Sequence, residues 1–145
     1  MDKCEAIQGS LNKWKGIYEE LTSESVLDRL CKFVDSKDYE WLDESKFDQM
    51  MHDEGKDHCV INYLCPMCAW TKKQNNSVYT DCSICDLHDE GKTCCNEWDK
   101  IDSLAQSMKR YSVLEYPRIV EEMESYAGQL VIRLTALLFA AENDA

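Results

Sequence analysis

Apolar residues recur at steps of three and four along most of this chain, the spacing of one helix face. Ile7, Leu11, Trp14, Ile17, Tyr18 and Leu21 predict an amphipathic helix over 5–21, with Gly9 and Gly16 lowering its propensity without breaking the stripe. Thr22-Ser23 then supplies an N-cap for a second helix carrying Val26, Leu27, Leu30, Phe33 and Val34 on one side. Cys31 lies on that stripe and reads as a small buried apolar residue. Leu42, Phe47, Met50 and Met51 predict a further short helix, closed by Gly55 as its C-terminal cap.

The helical period returns after Cys95. Trp98, Ile101, Leu104, Ala105, Met108 and Tyr111 share one face, and Pro117 suits the first turn of a long helix. Ile119, Val120, Met123, Tyr126, Ala127, Leu130, Val131, Leu134, Leu137 and Leu138 form its stripe. Unbroken over 117–142 it would run roughly 40 Å at about 1.5 Å per residue. Its last half is apolar nearly all round, which predicts burial on more than one side. Either it is the central helix of a bundle, or its outer face meets a second subunit in a homodimer.

Between the two helical parts the pattern is different. Cys65-Pro66-Met67-Cys68 and Cys82-Ser83-Ile84-Cys85 are two Cys-x-x-Cys pairs, followed by Cys94-Cys95. Each pair closes a tight turn that aims two sulfurs at one point, and two such turns complete a tetrahedron around Zn²⁺ with no open position. The expected cofactor is therefore a structural zinc held by Cys65, Cys68, Cys82 and Cys85. Cys94, Cys95 and His88 are alternative ligands, since imidazole mixes with thiolate around zinc. His58 and Cys59 are placed to hydrogen-bond a ligand sulfur. An iron–sulfur cluster also takes four thiolates, but the short connection between the pairs fits zinc better. Pro66 pushes Cys65 out of the helical region. Lys72–Asn76 reads as a polar loop, Ser77–Thr80 as a short strand beside the metal, and Asp86–Thr93 as a loop with Gly91 at its tip.

Charge adds a second theme. The chain carries 16 Lys+Arg against 28 Asp+Glu, a formal net charge of −12. Residues 17–57 hold 13 acids and 5 bases, so that part alone carries −8. Such a chain repels phosphate backbones unless one face is sharply basic, and the cysteine segment offers only Lys72, Lys73 and Lys92. The acidic run is either a solvated face or a surface that meets a basic partner, for which Asp43, Glu44 and Asp48 are the candidate contact residues. No spacing fixes two of these carboxylates in a cleft, so catalysis has little support. Composition is globular, with 44% hydrophobic and 30% charged residues. Nine cysteines, an odd number, in a chain with no apolar run behind a basic start imply a reducing compartment. A soluble, cytoplasmic protein without a membrane span is expected.

The two Cys-x-x-Cys pairs, the Gly91-Lys92-Thr93-Cys94-Cys95 stretch and Trp98 resemble a loose group of small cysteine-rich proteins of bacteriophages and prokaryotes. The match covers about a third of the chain, and Asp86 stands where members often have proline. The resemblance implies a small metal-stabilised accessory protein, viral in origin, without enzyme activity.

The expected fold is mainly α, a helical bundle carrying a small zinc-binding loop module. The expected parts are an acidic helical part at 1–57, the zinc module at 58–96 and long helices at 97–145, within one compact domain. The expected function is a non-enzymatic acidic protein-interaction module, a phage-encoded inhibitor of a host nucleic-acid-binding or defence protein. Its partner would be a protein with a basic surface, with no direct nucleic-acid contact. The alternative is a zinc-dependent nucleic-acid binder or transcription regulator. A third reading is a metal or redox enzyme using the remaining cysteines.

Overall fold

A computed structural model of the chain describes residues 2–36, 46–56, 96–108 and 113–143. Among these residues the architecture is a helical bundle of five α-helices: α1 (Lys3–Thr22), α2 (Val26–Ser36), α3 (Lys46–Asp53), α4 (Asn96–Ser107) and α5 (Tyr116–Asn143). A single 3₁₀ turn, Val113–Glu115, leads into α5. The predicted strand Ser77–Thr80 and the apolar Leu42 and Tyr111 lie outside the described residues.

The helix α1 starts on a reciprocal cap. The Glu5 N–H donates to Asp2 Oδ1 at 2.8 Å, and the Asp2 N–H donates to Glu5 Oε2 at 3.1 Å. Two amides that the first turn leaves without helical partners are thereby satisfied. At the other end Thr22 still belongs to α1, its hydroxyl donating back to the Tyr18 and Glu19 carbonyls. Capping of α2 falls two residues later than the Thr22-Ser23 expectation. Ser23 Oγ accepts from the Ser25 N–H at 3.3 Å, and the Ser25 carbonyl accepts the first α2 bond, from the Arg29 N–H at 2.9 Å. The Ser/Thr cluster fits either position locally, and the length of α1 decides which one is used.

Gly55 behaves as expected. Its φ of 73° is the left-handed conformation, and it stands just past α3. The Lys56 N–H reaches the Met51 carbonyl at 2.8 Å while the Gly55 N–H reaches His52 at 3.0 Å, the paired bonds of a Schellman ending.

All five helices feed one core. Trp14, Tyr116, Phe47, Ile7, Ile17, Leu21, Leu30, Met50, Met51, Ile101 and Met108 are its largest fully buried side chains. The most extensive packing is α1 on α5, followed by α4 on α5, so the longest helix is the shared wall. At 28 residues α5 runs about 42 Å. The predicted stripes hold with few exceptions. Tyr18 is 36% exposed, its ring lying over Gly128 of α5, where a Cβ would come within 3.3 Å of the ring. Cys31 is half-buried rather than fully enclosed. The last half of α5 is not covered all round: Leu130 and Leu134 are buried, but Ile132 and Phe139 are 71% and 70% exposed.

Tyr116, silent in the sequence pattern, closes the α4–α5 connection. It is 1% exposed and its hydroxyl donates to the Met108 carbonyl at 3.3 Å. Burial, with the Cys31 thiol nearby, pushes its phenol up to about 12 from an ordinary 10.0. A phenol raised on folding favours the native state below pH 10, and that contribution is lost as pH climbs to about 12. Two units correspond to about 3 kcal/mol. Urea melts followed by circular dichroism should show stability falling in that window, and Tyr116→Phe should remove this part of the pH dependence. The same variant leaves the Met108 carbonyl without its donor, at about 1 kcal/mol in neutral solution.

Candidate functional site

The cysteine segment enters from α3 and leaves into α4, and the geometry at both junctions is defined. The predicted ligands Cys65, Cys68, Cys82 and Cys85 and the alternates Cys94, Cys95 and His88 lie outside the described residues, as do Asp43 and Glu44. Among the described residues no three His, Cys, Asp or Glu side chains gather into a metal-sized group. His52 is exposed in the last turn of α3, and Cys4 and Cys31 are free thiols.

At the entry, four charges alternate around the point where α1, α2 and α3 meet. Arg29 on α2 bonds Glu20 of α1 at 2.8 Å and Glu54 at 2.6 Å. Lys56, just past the Gly55 turn, reaches Glu20 at 2.7 Å and Glu54 at 3.4 Å. Just past the Schellman turn, Lys56 is within reach of Glu20 on α1. Burial of Glu20 opposes its charge, but hydrogen bonds from Lys56 and Arg29 outweigh this and lower its pKa. The Glu20 hydrogen bond raises Lys56, and the carboxylates raise Arg29 against the cost of its burial.

The sign for Glu20 follows from its lowered pKa. Its contribution is present above the ordinary value of 4.5 and is lost as pH falls through the lower folded value. Lys56 is partly open to water, so the network is worth less than its distances suggest. Glu20→Gln should cost about 1 kcal/mol at neutral pH. The difference from the parent should shrink progressively as pH falls below 4.5, as read by a series of urea melts from pH 7 into acid.

At the exit, Glu97 in the first turn of α4 is 6% exposed and accepts a hydrogen bond from Arg133 of α5. An acid in the first turn also suits the positive end of the helix. Arg133, which interrupts the apolar run of α5 in the sequence, thus ties the first turn of α4 to α5, beside the apolar packing of Ile101 and Ala105. Alongside runs a polar groove of about 510 Å³ between α4 and α5, lined by Lys100, Ser103, Ser107, Arg118, Ser125 and Gln129, among others.

Asp48 departs from the surface expected of it. It is 2% exposed on α3, between Phe47 and Met50 in the core, so its carboxylate is not offered to a partner. Other acids of the 17–57 run are paired within the chain: Glu20 and Glu54 in the four-charge cluster, and Asp28, itself on the surface, with Lys32 at 2.9 Å. Glu19, Glu24 and Asp35 remain exposed. Arg29 at nine residues from Glu20 and twenty-five from Glu54 gave no local signal of this cluster. The Asp2-x-x-Glu5 capping box, by contrast, is a signature that the sequence does carry.

No family model matches the chain, and neither a curated protein nor a solved structure matches it. No helix among the described residues is long and apolar enough to cross a membrane.

Proposed function

We propose that the chain is a non-enzymatic protein-interaction module, in which a helical body carries a zinc-bound cysteine segment and an acidic outer surface. The supporting observation is the fastening at both junctions of that segment: Lys56 into the Glu20–Arg29–Glu54 cluster and Glu97 onto Arg133. These bonds fix the two points on the helical body between which that segment runs. Zinc held by Cys65, Cys68, Cys82 and Cys85, with Cys94, Cys95 or His88 able to substitute, would order that segment without supplying an open catalytic position. The partner is a protein with a basic surface, drawn in by fixed charge from a chain of net −12. The resemblance to cysteine-rich phage proteins makes a host nucleic-acid-binding or defence protein the proposed target and the host cytoplasm the proposed location.

Charge reversal tests this reading. Glu24→Lys combined with Asp43→Lys and Glu44→Lys should leave the melting temperature within a few degrees of the parent and sharply reduce salt-eluted capture of basic proteins on immobilised chain. Equal capture by the variant and the parent would overturn the proposal. Retention of the parent on DNA-cellulose at low salt would overturn it in favour of a nucleic-acid binder.

A further inference from the structure

The outer side of α5 carries a second pattern besides the one it buries. Arg118, Glu122, Ser125, Gln129, Ile132, Ala136, Phe139 and Asn143 follow one another at steps of four and three, the heptad spacing of a helix-pairing seam, and every one is exposed. The seam changes character along its length. Up to Gln129 it is polar and borders the α4–α5 groove. Beyond that point it is Ile132, Ala136 and Phe139, closed by Asn143, with no charged residue among them.

From this we infer that α5 pairs antiparallel with α5 of a second copy, over residues 129–143 and about a two-fold axis at Ala136. The inference is independent of the proposed function. In that register Ile132 meets Phe139 of the other copy, twice, and the small Ala136 faces its own equivalent, letting the helices approach. Gln129 meets Asn143, amide against amide, and each spends only one N–H on its own helix, toward Ser125 and Phe139 respectively. Charge selects the antiparallel direction. Glu142 comes to lie one turn from Arg133 of the other copy, whose side chain is 30% exposed. Glu121, Glu122 and Glu124 fall outside the overlap. A parallel pair would instead stack Glu122 on Glu122 and Glu142 on Glu142 between two molecules that each carry −12. The face therefore fits a second copy of this chain.

The seam is short, so the dimer is a weak one, with a dissociation constant on the order of tens of micromolar. Sedimentation equilibrium should show a mass that rises with concentration from 16.8 kDa toward twice that value. Ile132→Glu alone and Phe139→Lys alone should each weaken association about tenfold or more. Both sites are exposed, and circular dichroism should show each variant as helical as the parent. The double variant Ile132→Glu/Phe139→Lys should recover association at low salt and lose it at high salt, because the antiparallel register sets the new acid against the new base. A parent that remains at 16.8 kDa at several hundred micromolar overturns the inference. Single variants that associate as the parent does overturn it, since another face would then be responsible. A double variant that stays monomeric at low salt overturns the antiparallel register.

Discussion

Replacing Cys68 or Cys82 by serine is expected to strip the chain of zinc, from about one tightly held ion per parent molecule to none. A tetrathiolate site depends on all four sulfurs for its closed tetrahedron, and a serine hydroxyl is a poor substitute for thiolate. Structural zinc contributes on the order of 10 kcal/mol of apparent binding energy at neutral pH, and the unfolded chain lacks that energy. The helical signal should nevertheless survive in good part, because Trp14, Phe47, Ile101, Met123 and Leu130 form a core from helices outside the cysteine segment. Elemental analysis with chelator competition reads the metal, and far-ultraviolet circular dichroism reads the helices. Cys4→Ser, at a half-buried site on α1, serves as the control and should retain full zinc content. Variants at Cys68 and Cys82 that hold zinc as the parent does would remove the site.

Asp48→Lys should be the most damaging single substitution on the acidic side of the molecule. Its position is 2% exposed, beside the fully buried Phe47, Met50 and Met51. A lysine there must either bury an ammonium among apolar side chains or force α3 away from the body. It also removes a carboxylate that is engaged within the fold. Breaking such an arrangement while leaving a buried charge costs about 3–5 kcal/mol, a large share of an ordinary domain's stability. Urea denaturation at pH 7 should therefore show most of the folding free energy gone. Glu24→Lys, equal in charge change but exposed, should stay within about 0.5 kcal/mol of the parent. If the two variants melt alike, Asp48 is not buried in solution.

Periodicity made most of the helical body legible. Ile7 to Leu21 and Ile119 to Leu134 bury as their spacing implies, because a stripe repeated over four or more turns has one efficient way to leave water. Gly55 was legible for a different reason, since glycine readily takes the positive φ that this helix ending requires. Ser23 and Ser25 were harder, because neighbouring hydroxyls can each cap a helix and only the length of α1 chooses between them. Asp48 misled, because a run of acids reads as one surface, whereas a helix of eight residues turns each successive side chain by about 100° and sends one of them inward. The Arg29 cluster and the Glu97–Arg133 bond join residues far apart in the chain, and no local pattern announces such pairings. Of the predicted site, only the points where its segment meets α3 and α4 lie among the described residues.

The four charges at the α1–α2–α3 junction also set how that junction responds to mutation. Each carboxylate is shared by two cations, so neither cation is indispensable. With Arg29 removed, Lys56 still bridges Glu20 and Glu54 and is relieved of a like charge nearby; with Lys56 removed, Arg29 does the same with a better fork. Losing both leaves two carboxylates side by side with nothing between them. The double replacement should therefore cost more than the sum of its parts, a coupling that a double-mutant cycle measures directly. The junction is redundant by construction: it tolerates a first loss at little cost and fails at the second.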